Sequence, residues 1–269
     1  MMNESKLFTQ ELDDKGVLTV TLNRPELHNA FNDELIASMT TACEQWELND
    51  KVRVIVLTGE GRSFCAGADL NWMKKMKDYS DEENFQDSKK LSKLFESINS
   101  LSKPVVGKVN GAALGGGVGL VAVCDYVVAK EDAKFGLTEV LLGLAPAVIS
   151  PYVMAKIGES NARALFLTGE KFGPEKAMNI GLIHQVSLSR YFEKDVDEVV
   201  ARLLQAGPKA QQATKKLIQN VIRLTNDEPF EGVVKYTCET IARLRTSSEG
   251  QEGMSALLEK RRPNWMGDK

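Results

Sequence analysis

The chain has 269 residues, 43% of them hydrophobic, and a formal net charge of −3 at pH 7. That is enough apolar material for one large core, alone or with an appendage, and the charge lacks the basic footprint of a nucleic-acid-binding domain. Four widely spaced cysteines (Cys43, Cys65, Cys124 and Cys238) form no C-x-x-C pair and are too sparse for a disulfide scaffold, so reduced thiols and no metal site are expected.

The opening MMNESKLFTQELDDKG has neither an apolar leader nor an Arg-rich, acid-poor one, and no segment approaches the ~18 consecutive apolar residues of a membrane helix. These features predict a cytoplasmic protein with neither membrane nor nucleic acid as a partner. Residues 6–12 and 17–23 flank Asp14-Lys15-Gly16 and predict a β-hairpin ended by Asn23-Arg24-Pro25. Asn32 is placed to cap a helix whose Leu35, Ile36, Met39, Cys43 and Trp46 share one face. Residues 52–57 read as a short buried strand, and GEGRSFCAGADL as the loop after it. A helical stripe of Phe85, Leu91, Leu94, Phe95, Ile98 and Leu101 covers residues 81–101.

Pro104 opens another strand over 105–109, and Gly115-Gly116-Gly117 leads into a buried helix, VGLVAVCD. Residues 126–129 and a short piece near Phe135 return as strands. This alternation argues for stacked ββα units, although no 20–50-residue repeat is visible in the sequence. From about residue 151 the chain reads as mostly helical. Short helices are expected at 162–167 and 175–180, and longer ones at 196–204, 209–224, 227–244 and 250–260.

Two glycine turns and one carboxylate stand out. A triple glycine before a helix bares backbone N–H groups where the helix dipole is positive, which suits a phosphate or an oxygen that becomes negative during reaction. It is not a P-loop, because no Gly-Lys-Ser/Thr follows. In Ala66-Gly67-Ala68-Asp69, Gly67 is suited to a positive φ, Asp69 to capping a helix from Leu70, and the Ala68 N–H to facing a ligand. On spacing alone, close helix–strand packing explains both turns as well. Glu139 is the lone charge in FGLTEVLLGLAPA. It is either an exposed residue at a helix start or a half-buried acid/base whose pKa burial would raise. His28 and His184 are isolated, no G-x-S-x-G supports a hydrolase triad, and Trp72, Met73 and Met76 read as an apolar face or the lining of a substrate tunnel.

Taken together, LNRPELHNAF, SFCAGADL, KPVVGKVNGAALGGGVGL, CDYVVAKEDAKFGLTE, ARALFLTGEKF and SSEGQEGMSALLEKRRPNW resemble the crotonase (enoyl-CoA hydratase/isomerase) family across almost the whole chain. The resemblance implies an α/β fold, a crotonase-like spiral of ββα units over residues 1–190 that holds an acyl-CoA site. It also implies a helical C-terminal region, 191–269, that drives trimerisation, with homotrimers usually paired into homohexamers. The ligand it implies is an acyl-CoA thioester, coenzyme A being part of the substrate rather than a separate cofactor. The N–H groups of Ala68 and Gly116 would hold the thioester oxygen as an enolate forms, and Glu139 would be the catalytic acid/base. Arg24, His28, Ala66, Asp69 and Leu70 would border the CoA moiety.

One position departs from that pattern. Hydratases of this family usually carry two glutamates that hold the attacking water, and where one of them falls this chain has Gly119. Family isomerases are similar in keeping only the glutamate at the Glu139 position. Yet GADLNWMKKM, GGGVGLVAVCD and FGLTEVLLGLAPAVISPYV look most like bacterial methylglutaconyl-CoA hydratases of leucine breakdown, and geranyl/isohexenylglutaconyl-CoA hydratases are similar too. Gly119 is then expected to remove a charge that would repel a glutaconyl carboxylate, and to border the substrate by leaving room for a branched acyl group. On that expectation Gly119→Glu weakens turnover of methylglutaconyl-CoA relative to crotonyl-CoA. A hydratase is the leading expectation, an isomerase the second, and a catalytically impaired CoA-binding oligomer the third.

Overall fold

The computed structural model describes residues 7–227 and 229–266; positions 6 and 228, each inside a predicted element, lie outside them. The chain divides into two compact units. One runs to Leu101 and resumes over Val105–Glu198, and the other comprises Ser102–Pro104 and the chain from Val199 onward.

The first unit begins with the hairpin β1 (Phe8–Leu12) and β2 (Val17–Leu22), whose alternation buries Leu18, Val20 and Leu22. Asn32 accepts the Leu35 N–H at 2.8 Å and starts α1 (Asp33–Leu48), which buries the five residues of its predicted face. Then follow β3 (Val54–Gly59), β4 (Ser63–Cys65), α2 (Leu70–Met76) and α3 (Asp81–Ser100), the last opened by a capping box of Ser80 and Glu83. Next come β5 (Val105–Val109), β6 (Ala112–Leu114), α4 (Gly116–Val123), β7 (Tyr126–Lys130) and β8 (Phe135–Gly136). A 3-10 turn at Thr138–Leu142, α5 (Ser150–Thr168), β9 (Lys171–Phe172), α6 (Pro174–Asn179) and β10 (Gln185–Ser187) complete the unit.

The strands form two sheets, one ordered β1-β2-β3-β5-β7-β10 and the other β4-β6-β8-β9. Apart from the antiparallel pairs β1–β2 and β8–β9, the pairing is parallel. Each successive pair, β3/β4, β5/β6 and β7/β8, gives one strand to each sheet before the chain enters helical structure. This is the ββα repeat that the sequence hides, because the second strand of each pair is three residues or fewer and carries no periodicity. β4, β6, β9 and β10 were for that reason not predicted. Two other expectations are corrected. Phe85 is 61% exposed and lies off the buried stripe of α3. The expected short helix at 162–167 is the second half of α5, which kinks at Gly158 (φ 71°).

The second unit holds α8 (Pro208–Asp227), α9 (Phe230–Thr246) and α10 (Ser248–Leu258), and α7 (Phe192–Gln205) runs into it. The Glu249 carboxylate accepts the N–H groups of Lys209 and Ala210 at 3.0 and 2.8 Å, placing a negative charge on the first turn of α8. Asn220 donates to the Tyr236 hydroxyl at 2.8 Å, joining α8 to α9.

In the first unit α4 is buried on nearly every side, which explains why VGLVAV carries no polar residue. Its start lies so close to β4 that a methyl group on Gly117 would overlap the Cys65 carbonyl oxygen. Gly117→Ala is therefore expected to cost about 3 kcal/mol by overpacking one backbone against another. At Gly173 the nearest atom to such a methyl is 3.5 Å away, in ordinary contact, and Gly173→Ala should cost less than about 1 kcal/mol. Chemical denaturation of the two variants measures the difference.

Candidate active site

The two glycine turns meet. β4 pairs with β6 in parallel, so the turn after Cys65 lies beside the turn after Leu114. Gly67 (φ 90°) has its open face 2.9 Å from the Leu114 carbonyl oxygen and 3.7 Å from the Gly116 nitrogen, measured from where a Cβ would stand. Phe31 donates its N–H to the Gly67 carbonyl at 2.7 Å, and Asp69 donates to the Phe31 carbonyl at 2.8 Å. Those two bonds flank Ala68, so its own N–H points away from Phe31. Gly116 is the first residue of α4, where an N–H has no partner within the helix. Ala68 and Gly116 thus line one cavity of about 480 Å³, a volume suited to a small-molecule ligand.

Glu139 reaches the same cavity from the 3-10 turn. Gly115 (φ 50°, ψ −119°) makes this possible, because a side chain there would begin 3.1 Å from Glu139 Oε1. The Glu139 carbonyl accepts the Leu144 N–H at 3.1 Å, and Gly143 (φ 72°) ends the turn. Its Oε2 is buried and has no hydrogen-bond partner in the protein. Burial pushes the Glu139 pKa up, opposed only by a backbone hydrogen bond at the same residue. A buried carboxylate oxygen without a counter-charge or a donor is held ready for a water or a substrate hydrogen. Cys65 stands near but is inert as a nucleophile, since burial raises its thiol to about 12.

The other predicted residues separate into two groups. Ala66 and Leu70 line the cavity with Ala68, Gly116 and Glu139. Arg24, His28, Asp69 and Gly119 do not. Arg24 is buried and pairs with Asp69 at 2.7 Å, and it also donates to the Ala30 carbonyl. Burial by itself would raise Asp69, but the hydrogen bonds from Arg24 and the Asn71 N–H outweigh it and hold the carboxyl below its usual value. The pair therefore anchors the turn that carries Ala68. The His28 ring lies 3.0 Å from Ser63 Oγ and 3.2 Å from Arg62 Nη2. Because arginine only donates, Nε2 accepts and Nδ1–H faces the serine.

Gly119 needs the largest correction. It clears no room for a branched acyl group, because a methyl group there would overlap Ile149 Cγ2 and come within 2.9 Å of two Phe95 ring carbons. The expected effect of Gly119→Glu changes with it: the single substitution meets a steric clash with Ile149 and Phe95 before charge matters. Sequence reading also missed Phe31, Leu91, Thr138 and Val148, which line the cavity with the predicted stripe of Trp72, Met73 and Met76. Asn29 was missed too. It is fully buried, donates to the carbonyls of Glu60 and Ser63 at 2.9 and 2.8 Å, and accepts the Arg24 N–H at 2.9 Å. Asn29 in LNRPELHNAF had a left-handed φ (57°) as its only hidden signal.

Comparison with known proteins agrees with this geometry. The enoyl-CoA hydratase/isomerase family matches residues 13–268. The 2,3-dehydroadipyl-CoA hydratase of Escherichia coli is 32% identical over 252 residues, covering 93% of this chain and 95% of that one. The trans-2-decenoyl-[acyl-carrier-protein] isomerase of Streptococcus mutans is 29% identical, covering 94% and 96%. The crystal structure of an enoyl-CoA hydratase from Shewanella pealeana superposes with a TM-score of 0.91 at 36% identity over 96% of both chains. The chain belongs to the enoyl-CoA hydratase/isomerase family and has the crotonase fold.

Glu139→Gln should lower turnover by about a hundredfold or more, the usual scale for a positioned acid/base. In the parent, kcat/KM should fall on the acid side at a pH above the ordinary glutamate value, since the raised pKa keeps Glu139 protonated there. The sign for stability is opposite. A carboxyl whose pKa is raised by folding loses stability as pH rises through that pKa, so Glu139→Gln should be no less stable than the parent at neutral pH. Arg24→Ala, which strands a buried Asp69, should cost about 3–5 kcal/mol and lower activity with it. Denaturation and pH–rate profiles read all three effects.

Proposed function

We propose that this family member is a hydratase that adds water across the 2,3 double bond of an enoyl-CoA thioester with Glu139 as its one proton-transferring side chain. The observation that carries the reading is the buried, unpartnered Glu139 Oε2 in the cavity that Ala68 and Gly116 also line. The thioester oxygen takes both N–H bonds and becomes an enolate as water attacks the β-carbon. Each donor contributes on the order of 3 kcal/mol in the transition state. Glu139 takes the proton of the attacking water and returns it to the α-carbon, so hydroxyl and hydrogen are both accounted for. Coenzyme A enters as part of the substrate, and the reaction uses no separate cofactor.

Methylglutaconyl-CoA, or a related branched enoyl-CoA of leucine or isoprenoid acid breakdown, is the acyl group we favour. Among the described residues no second carboxylate lines the cavity, so a distal carboxylate on the substrate meets one like charge there, from Glu139. Ser88 and Thr138 bring hydroxyl-bearing side chains to the cavity lining. The E. coli relative is itself named for an acyl group that ends in a carboxylate. A homotrimer or homohexamer is the assembly we propose, supported by Ile218, Ile222, Phe230, Leu257 and Leu258 standing exposed on the helical unit. A cytoplasmic location is proposed alongside; among the described residues no helix is long and apolar enough to cross a membrane.

The single carboxylate also suits an isomerase, which moves one proton between two carbons, and a relative carries that name. Labelled water divides the two. Incubation in H₂¹⁸O with crotonyl-CoA, 3-methylcrotonyl-CoA and methylglutaconyl-CoA should give a two-mass-unit gain beyond simple hydration, greatest for methylglutaconyl-CoA. Conversion of a 3-enoyl to a 2-enoyl thioester without oxygen uptake would establish the isomerase instead. Faster hydration of crotonyl-CoA than of both branched thioesters would remove the branched-acyl preference.

A further inference from the structure

Position 119 lies three residues after Gly116 in α4, on the same helical face. Gly116 lines the cavity and Gly119 does not. Over Gly119 lies Ile149, which is 3% exposed, lines the cavity, and lays its Cγ2 methyl over the Gly119 α-carbon. Phe95 closes the other side, and its ring meets Phe31 edge-on at 6.1 Å and 82°.

Ile149 is held where it is. It is the residue from which α5 starts, and its carbonyl accepts the N–H groups of Tyr152 and Val153 at 3.1 and 3.0 Å. Pro151 stiffens the first turn. A β-branched side chain on a fixed backbone has little freedom at χ1, so the Cγ2 methyl cannot swing clear of position 119 at small cost.

We infer that Ile149 is a specificity-determining residue: it occupies the space over Gly119 and thereby commits the cavity to one proton-transferring carboxylate. The inference rests on the reading of Glu139 as that group. With Ile149 and Phe95 in place, neither a side-chain carboxylate nor a water has room between residue 119 and the cavity, and this wall stays apolar. Gly119 is then a consequence of Ile149, since no larger residue fits beneath it.

The test uses five full-length variants: Gly119→Glu, Gly119→Ala, Ile149→Ala, and each of the first two combined with Ile149→Ala. Thermal melting and crotonyl-CoA hydration in H₂¹⁸O are read on all of them and on the parent. Gly119→Glu alone should melt below the parent and hydrate crotonyl-CoA no faster. The double variant Gly119→Glu/Ile149→Ala should melt above Gly119→Glu and hydrate crotonyl-CoA at least tenfold faster than it. A double variant no faster than the single one overturns the inference. If neither glutamate variant folds, the alanine pair decides. The melting loss caused by Gly119→Ala should shrink by 3 °C or more in the Ile149→Ala background, and an unchanged loss overturns the inference. A parent that takes up no labelled oxygen from any enoyl thioester, beside a double variant that does, would remove the hydratase reading and leave Ile149 in its role.

Discussion

Everything in the site depends on three consecutive residues without side chains. Gly115 admits the Glu139 carboxylate, Gly116 faces the Phe31 ring, and Gly117 rests on the Cys65 carbonyl. Close packing of helix on strand and exposure of an N–H donor are usually offered as competing explanations for such a run. Here they are one explanation. Because α4 can approach the end of β4 this closely, the N–H at its first residue comes beside the turn that carries Ala68. A Cβ at Gly115 would crowd the Glu139 carboxylate, one at Gly116 the Phe31 ring, and one at Gly117 would push α4 off β4.

That geometry leaves a carboxylate where folding alone would not put one. Glu139 has no cation and no donor at Oε2, and burial disfavours its charged form. The protein supports it indirectly. The Arg24–Asp69 pair and Asn29 satisfy the polar groups around the neighbouring turn, so the unsatisfied atom is confined to the cavity. Stability is concentrated in the anchor, and reactivity in the group the anchor leaves alone.

Much of this was legible in the sequence because the signals were local. The α1 cap at Asn32, the buried face of that helix, the strands at 105–109 and 126–129 and the glycine turns all follow from residues within a few positions of one another. Ala68, Gly116 and Glu139 were found together, although family resemblance, not spacing, joined them. What escaped was set by contacts between distant segments. The two-residue pairing of β4 with β6 spans some fifty positions, and nothing in SFC or AAL announces it. The resemblance put Arg24 and His28 at the border of the CoA moiety, but neither lines the cavity. Their partners, Asp69 and Ser63, lie 45 and 35 residues away in the sequence.

Gly119 shows the same limit in its sharpest form. A glycine in place of an acid invites the inference that something has been removed, and charge removal and extra space are the two physical consequences that come to mind. The space is absent, because a residue thirty positions later has filled it. Size and charge at 119 are therefore not independent variables. Any change that restores the acid must first displace Ile149, and any change at 149 opens a hole that a water or a side chain can enter. The glycine at 119 and the β-branched residue at 149 form a single packed unit. That packed pair, and not the bare glycine, closes this wall of the cavity.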